Sequence, residues 1–140
     1  MYSEGWGLYA ESLGYEMGMY KDPYMHYGAL AMEMMRACRL VIDTGIHSKG
    51  WGREQSIAYM RENAGLKEGF ATSEIDRYIN NPGQALGYKI GQMKIRELRG
   101  ASARQMGNRF DLRGFHDTVL GEGAVPLDVL EARVKAWTAR

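Results

Sequence analysis

Helix start and stop signals are the feature of this sequence that most constrains its fold. Apolar residues recur at spacings of three and four, as on the buried face of a helix, and almost no segment has the alternation typical of a strand. Start signals such as Asp22-Pro23, together with glycine and proline stops, divide this pattern into segments. We therefore predict an all-α fold with about seven helices, forming a single domain over residues 1–140.

The helix boundaries follow from the same signals. We predict helices over residues 3–20, 23–44, 53–64, 73–78, 84–106, 111–120 and from 126 onward. Residues 46–52 are predicted to form a loop that holds His47 and Trp51. In the fifth helix, Gly87 and Gly91 stand one turn apart and would let a neighbouring helix approach closely. The positions predicted to be buried in that helix are Leu86, Ile90 and Met93.

Composition excludes several classes of protein. With 45% hydrophobic and 25% charged residues, the chain resembles a globular domain rather than a disordered or collagen-like one. The single cysteine, Cys38, cannot form an internal disulfide, and its apolar helical surroundings predict an inert buried thiol. No apolar run is long enough to span a membrane and no signal peptide is visible, so the sequence assigns no compartment.

The net charge of +1 gives no general attraction to nucleic acid or membranes. The charges are unevenly placed, because residues 1–36 carry five acids and two bases whereas residues 89–113 carry seven bases and two acids. A solvated helix face is the favoured interpretation of the basic stretch. The alternatives are attraction between the two stretches and an acidic partner. The stretch has no interleaved stacking aromatics, so no nucleic-acid partner is expected.

The chain is rich in methionine and tyrosine, with 10 and 9 residues respectively, many of them in its first third. Methionine fills irregular gaps, and a buried tyrosine needs a partner for its hydroxyl group. This composition is typical either of a loosely specified helical core or of a surface that packs against another segment.

Three polar clusters contain the candidate functional residues. Glu4 and Glu11 are two helical turns apart, so their carboxylates project from nearly one face. Asp43 and His47 occur where a helix end meets a glycine-rich loop. An ordinary structural role competes with a functional one in each cluster, and no complete local zinc, phosphate-loop or dinucleotide motif is present. The third cluster follows the break at residues 80–83 and consists of Gln84, Tyr88 and Lys89.

Several longer motifs, read in order, resemble one bacterial family. They are EGWGLYAE at residues 4–11, RACRLVIDTGIH at 36–47 with GW at 50–51, NPGQALGYKIG at 81–91, FDL and FHD between 110 and 117, and VPL at 125–127. Together they resemble the C-terminal part of the family known as domain of unknown function 885, over essentially the whole chain. Gly7 departs from the pattern, since alanine is expected there.

The family in turn resembles helical zinc metallopeptidases of the carboxypeptidase Taq and angiotensin-converting-enzyme kind. Its longer members carry an upstream His-Glu…Pro-Gly-His-His segment that looks like a zinc-binding helix. The resemblance implies that Glu4 supplies the third metal ligand, and that His47 and Tyr88 stabilise the oxyanion. The residues implied to orient a ligand or contact the substrate are Glu11, Asp43, Gln84 and Lys89.

The resemblance also implies that these 140 residues are the C-terminal portion of a larger peptidase-like protein. The histidine pair and the general base would come from a missing N-terminal segment. We therefore expect zinc and a peptide substrate in the complete protein, but no bound zinc and no catalysis in this chain alone. The alternative is a non-catalytic helical module that binds a partner or self-associates through its Met/Tyr-rich face.

Overall fold

The computed structural model describes residues 1–140 and confirms the all-α prediction. Seven α-helices pack as one domain, with a short 3-10 turn at Gly107–Arg109 and no strand. None of the helices is long and apolar enough to cross a membrane. The helices are α1 (Tyr2–Glu16), α2 (Pro23–Lys49), α3 (Arg53–Ala64), α4 (Glu68–Asn80), α5 (Leu86–Met106), α6 (Leu112–Leu120) and α7 (Leu127–Thr138).

Several helix ends follow the predicted signals. The Asp22 carboxylate accepts a hydrogen bond from the backbone N–H of Met25 at 2.9 Å, which caps the start of α2. Asp111 caps α6 in the same way, through two backbone N–H groups. Gly65 ends α3 in the left-handed conformation, at φ 64°. Local capping chemistry therefore determines these boundaries.

The predicted end of α2 at Gly45 is wrong, because the helix continues to Lys49 and ends at Gly50, at φ 69°. His47 consequently lies in the last helical turn and not in a loop. Gly45 stays helical and buried because the Trp51 ring packs against it, and a β-carbon there would come 2.6 Å from that ring. Gly45 therefore makes room for the Trp51 side chain and does not end the helix. A local pattern does not distinguish these two roles of a glycine.

Three other predicted boundaries are also corrected. Helix α1 ends at Glu16 rather than Tyr20, because the chain turns at Gly18, where φ is 65°. Helix α4 begins at Glu68, so Ser73 is not its cap; the Ser73 hydroxyl instead donates to the Gly69 carbonyl inside the helix. Residue 84 lies in the turn before α5, which begins at Leu86.

Helix α5 holds the domain together by contacting both halves of it. Its most extensive contacts are with α1, and the two helices run in the same chain direction. They cross where Gly5 faces Gly91. A β-carbon on Gly5 would come 2.6 Å from the Gly91 carbonyl carbon, so the two backbones are in direct contact. Met1 lies against Gly87 in the same crossing. The predicted close approach at Gly87 and Gly91 is confirmed.

The buried residues form two clusters. One lies among α2, α3, α4 and the α4–α5 turn, and it includes Cys38, whose pKa is raised by burial. The other lies among α1, α5, α6 and α7, around Tyr9 and Phe115. Met93, predicted to be buried, is instead exposed on the outer side of α5, while Leu86 and Ile90 are half-buried. The outer side of α2 is likewise left uncovered.

Candidate functional site

An ionic cluster around the half-buried Glu74 joins α2 to α4. The Glu74 carboxylate accepts hydrogen bonds from Arg39 Nη2 at 2.7 Å and from the Tyr78 hydroxyl at 2.6 Å. Arg77, one turn along α4, donates to it at 3.0 Å. Burial raises the pKa of Glu74, but these hydrogen bonds outweigh that effect and lower the pKa to about 2. The carboxylate is therefore ionised and fixes the side chains around it.

Arg39 is the most buried charge in this cluster, at 5% exposure. Its Nε donates to the Tyr78 hydroxyl at 2.8 Å, and its guanidinium lies over the Tyr88 ring, 4.6 Å from the ring centroid. Its Nη1 has no hydrogen-bond partner. Tyr88, a predicted oxyanion-stabilising residue, is thus held by a cation–π contact to a residue on α2.

Asp43 holds the turn between α4 and α5. Its carboxylate is buried, and both of its oxygens accept from the backbone N–H of Gly83 at 3.1 Å. Gly83 adopts φ 78°, which favours glycine. The predicted second and third clusters are therefore physically joined, because Asp43 fixes the turn that leads to Gln84 and Tyr88.

His47 lies one turn beyond Asp43 on α2 and reaches the end of α4. Its Nε2 is 2.9 Å from the Tyr78 backbone carbonyl oxygen, which can only accept, so Nε2 carries the proton. The ring therefore ties α2 to α4, and Nδ1 is the atom left to meet another group. His47 and Asp43 contact opposite ends of the segment Tyr78–Gly83.

Gln84 extends this cluster into the turn before α5, because its side-chain oxygen accepts from Arg77 Nη1. Glu4 lies on α1, outside this network, where its partner is the N-terminal amine. The backbone N–H of Glu4 lowers the pKa of its carboxyl, and burial opposes this effect.

Glu4 itself lines a surface cavity of about 500 Å³ between the start of α1 and the loop before α7. Its side chain is 34% exposed and lies 3.5 Å from the N-terminal amine. Because its pKa is lowered, the carboxylate is ionised at neutral pH. A charged, accessible carboxylate on a cavity wall can act as a metal ligand or can bind a cationic group.

Two further predicted site residues lie outside this cluster. Glu11 pairs with Arg36 at 3.1 Å and is half-exposed. Lys89 donates to Glu33 at 2.8 Å and to Gln92 at 2.9 Å, on the side of α5 that faces α2. Both side chains tie helices together by ion pairs. The structure therefore connects four of the seven predicted residues, namely Asp43, His47, Gln84 and Tyr88, and leaves Glu4, Glu11 and Lys89 outside the network.

Sequence reasoning missed four residues of the cluster, which are Arg39, Glu74, Arg77 and Tyr78. Two signals were available. Glu74 stands three residues before Arg77 and four before Tyr78, so all three share one face of α4. Arg39 also interrupts an apolar stripe on α2, and a buried arginine requires a carboxylate partner.

The chain contains no group of three histidine, cysteine, aspartate or glutamate side chains arranged to hold a metal ion. Asp128 lines the same cavity as Glu4, so these residues offer at most two ligands of this kind there. The three protein ligands of a catalytic zinc site are therefore not assembled within these 140 residues.

Two solved structures share this arrangement of helices. One is described as a putative lipoprotein from Colwellia psychrerythraea, with 51% sequence identity and a TM-score of 0.96, and the match covers 99% of this chain and 24% of that one. The other is described as a putative lipoprotein of unknown function from Shewanella oneidensis, with 28% identity and a TM-score of 0.85, covering 92% of this chain and 24% of that one. The chain thus spans about a quarter of each of these relatives.

No curated protein matches the chain. The model of a bacterial family of unknown function, DUF885, matches residues 1–134. That span includes every motif that suggested the resemblance and every residue of the cluster described above. Sequence and fold agree on this point, and the chain belongs to the DUF885 family of bacterial proteins.

Proposed function

We propose that this chain forms the C-terminal part of a zinc-dependent peptidase, with Glu4 as one ligand of the metal. The observation that carries the proposal is that Glu4 presents an ionised, accessible carboxylate on a cavity wall, while a separate network orders Asp43, His47 and Tyr88. These residues come from three distant parts of the sequence.

Glu4 fits zinc as a single oxygen ligand, since it is ionised, accessible and on a cavity wall. The remaining ligands do not fit within this chain, because no three-residue metal group is present. Bound zinc would polarise a peptide carbonyl and lower the pKa of a water molecule. The proposal therefore assigns hydrolysis to a larger protein and no chemical step to this chain alone.

The other cluster residues have positioning roles in this proposal. Asp43 fixes the turn at Gly83 that leads into α5, and the Arg39 guanidinium lies over the Tyr88 ring. His47 donates from Nε2 to the Tyr78 carbonyl oxygen, which leaves Nδ1 to face a substrate. Tyr88 and His47 would stabilise negative charge on the carbonyl oxygen under attack.

The first test is to sequence the DNA upstream of the Met1 codon and to read it in frame. The proposal predicts an uninterrupted frame that contains a His-Glu…His-His segment. The protein produced from the complete frame should then cleave peptides in a zinc-dependent manner. A frame that contains no such segment, or a complete protein that binds zinc but cleaves no peptide, would overturn the proposal.

A second candidate function is a non-catalytic module that binds a partner. The observation that favours it is the uncovered face of α2, where Tyr24, Tyr27 and Leu30 are more than half exposed. Such a patch is unusual on an isolated domain. A chain that stays monomeric and binds no hydrophobic dye would contradict this function.

A further inference from the structure

The outer side of α2 carries a row of residues that the other helices leave largely exposed. The row, called here the outer seam, consists of Tyr27, Leu30, Met34, Ala37, Val41 and Thr44, at alternating spacings of three and four residues. This is the spacing of a helix that packs against another helix. Exposure along the apolar members falls from 69% at Tyr27 to 40% at Val41. The seam is about 25 Å long, or nearly five helical turns.

An apolar groove continues the outer seam. It has a volume of about 650 Å³ and is lined by Leu40, Thr44, Leu86, Ile90, Met93 and Leu127. Helices α2 and α5 run antiparallel beside it, since Glu33 pairs with Arg96 and Arg39 lies over Tyr88. Thr44 belongs to both the seam and the groove. The two together form one continuous apolar surface across α2, α5 and the start of α7.

The rim of this groove is acidic. Glu97, Asp128 and Glu131 stand on it together with one base, Lys94. Lys94 is already paired, at 2.6 Å with Glu131 and at 3.3 Å with Glu97. Glu131 also pairs with Lys135 at 2.6 Å. Three acids against these two bases leave an excess of one negative charge, with Asp128 the unpaired acid, and this favours a partner with basic residues beside its apolar ones. A second copy of this chain would place two acidic rims against each other.

The lengths of the relatives indicate where such a partner comes from. The match covers only 24% of each of the two solved chains, so about three-quarters of each lies outside this fold. In those proteins the fold is one part of a larger chain. A domain that is one part of a larger chain needs a surface that packs against the rest of that chain, and the outer seam has the residue spacing of such a surface.

We propose that the outer seam and the groove bind an amphipathic helix with basic flanks, contributed by polypeptide outside residues 1–140. The apolar side of that helix packs along the seam and fills the groove, and its lysine or arginine side chains meet Glu97 and Asp128. This interaction does not rest on zinc binding at Glu4. A failure of one proposal is therefore distinguishable from a failure of the other.

Thiol protection tests this proposal on the chain itself. Cys38 is buried, so a cysteine introduced on the surface provides the reactive thiol. Met34→Cys reports on the seam and Met93→Cys on the groove. Phe70→Cys, on α4, is the matched control, because Phe70 is 47% exposed and lies outside both. Circular dichroism verifies that each variant is folded.

The probe is a 21-residue peptide of leucine and lysine, with leucines at alternating spacings of three and four. The control peptide has the same leucines and glutamate in place of lysine. We expect the leucine–lysine peptide to slow modification of Met34→Cys and Met93→Cys at least tenfold, and to leave Phe70→Cys unchanged. We expect the leucine–glutamate peptide to protect none of the three. Adding Glu97→Lys and Asp128→Lys should reverse this preference.

Three outcomes would overturn the proposal. The leucine–lysine peptide could fail to protect the two thiols. It could protect Phe70→Cys equally, which would mean nonspecific binding. The thiols at 34 and 93 could also become protected without peptide as the protein concentration rises, with a dimer in sedimentation equilibrium, and a second copy would then be the occupant. Zinc or a chelator should change none of these measurements.

Discussion

Gly5 on α1 lies directly against Gly91 on α5, so that the two helix backbones touch without intervening side chains. This contact determines how α1 crosses α5 and places Glu4, the residue before Gly5, on the cavity beside the loop before α7. A β-carbon on either glycine would overlap the backbone of the other helix. The position of Glu4 thus depends on two residues that have no side chains.

Gly5→Ala is predicted to destabilise the fold by roughly 3 kcal/mol, because the new methyl group meets backbone atoms that cannot move independently. Gly7→Ala, two residues along the same helix, is the matched control. Nothing lies within 4 Å of a β-carbon at Gly7, so alanine there should stabilise the fold by about 1 kcal/mol. Urea unfolding of both variants measures the two effects. Equal effects would show that backbone contact does not determine the crossing.

Glu74→Gln is predicted to destabilise the fold at pH 7 by roughly 3 kcal/mol, because it leaves the Arg39 guanidinium buried without a carboxylate partner. Glu54→Gln, at an exposed position on α3, is the control and should have little effect. Chemical unfolding at constant pH measures both. A Glu74→Gln variant as stable as the control would contradict the central role given to this ionic cluster.

The same carboxylate determines part of the acid stability. Its pKa is about 2 in the folded chain and 4.5 as its ordinary value, so its stabilising contribution is complete above pH 4.5 and is lost as the pH falls towards 2. In the wild type, the free energy of unfolding should therefore fall over that interval, and the fall should be smaller in Glu74→Gln. Unfolding curves at several pH values test this. An unchanged slope in the variant would assign the acid sensitivity to other carboxylates.

His116 should contribute a separate pH dependence near neutrality. Its Nε2 lies 2.8 Å from the hydroxyl of Tyr9, which is buried, and Arg99 reaches the same hydroxyl at 3.3 Å. Burial and the charge of Arg99 lower the pKa of His116, whereas Glu16 and Asp117 oppose this effect. The unfolded chain therefore takes up the proton first, and stability falls as the pH drops below 6.5 towards the lowered pKa of the folded chain.

The matched variant for this effect is His116→Gln, which cannot titrate. Its stability should vary less than that of the wild type between pH 7 and pH 5, while its helix content at pH 7 stays the same. Thermal unfolding followed by circular dichroism provides the comparison. The two proteins would have parallel stability profiles over this range if His116 were not responsible.

Local chemistry made much of the fold predictable. Asp22, Gly65 and Asp111 act through their own backbone neighbours, so the sequence correctly predicts the ends they form. The sequence misassigns Gly45 because the Trp51 ring packs against it, a tertiary contact that a local pattern does not reveal. It misassigns Ser73 because a serine hydroxyl can bond either at the start of a helix or to the carbonyl four residues back inside one, and here it does the latter.

The candidate site is predictable where a sequence signal marks a true break in the chain. Gln84 follows the proline–glycine break, which the structure keeps as a turn. Asp43 is singled out by a helix end that is placed too early, and its actual role, accepting from Gly83, depends on a residue 40 positions away. Glu11 and Lys89 were grouped with them by motif, but their long side chains pair with Arg36 and Glu33 elsewhere. Arg39 was missed because burial of an arginine depends on Glu74, which lies 35 residues away in the sequence.

Zinc titration of the protein produced from its complete reading frame, with Glu4→Gln and Glu54→Gln beside the wild type, tests most directly whether Glu4 is a metal ligand. We predict one zinc ion per wild-type chain, and an affinity for zinc at least about 100-fold lower in Glu4→Gln. Glu54→Gln should bind zinc as the wild type does. Equal zinc affinity in Glu4→Gln and the wild type would contradict the assignment of Glu4 to the metal site.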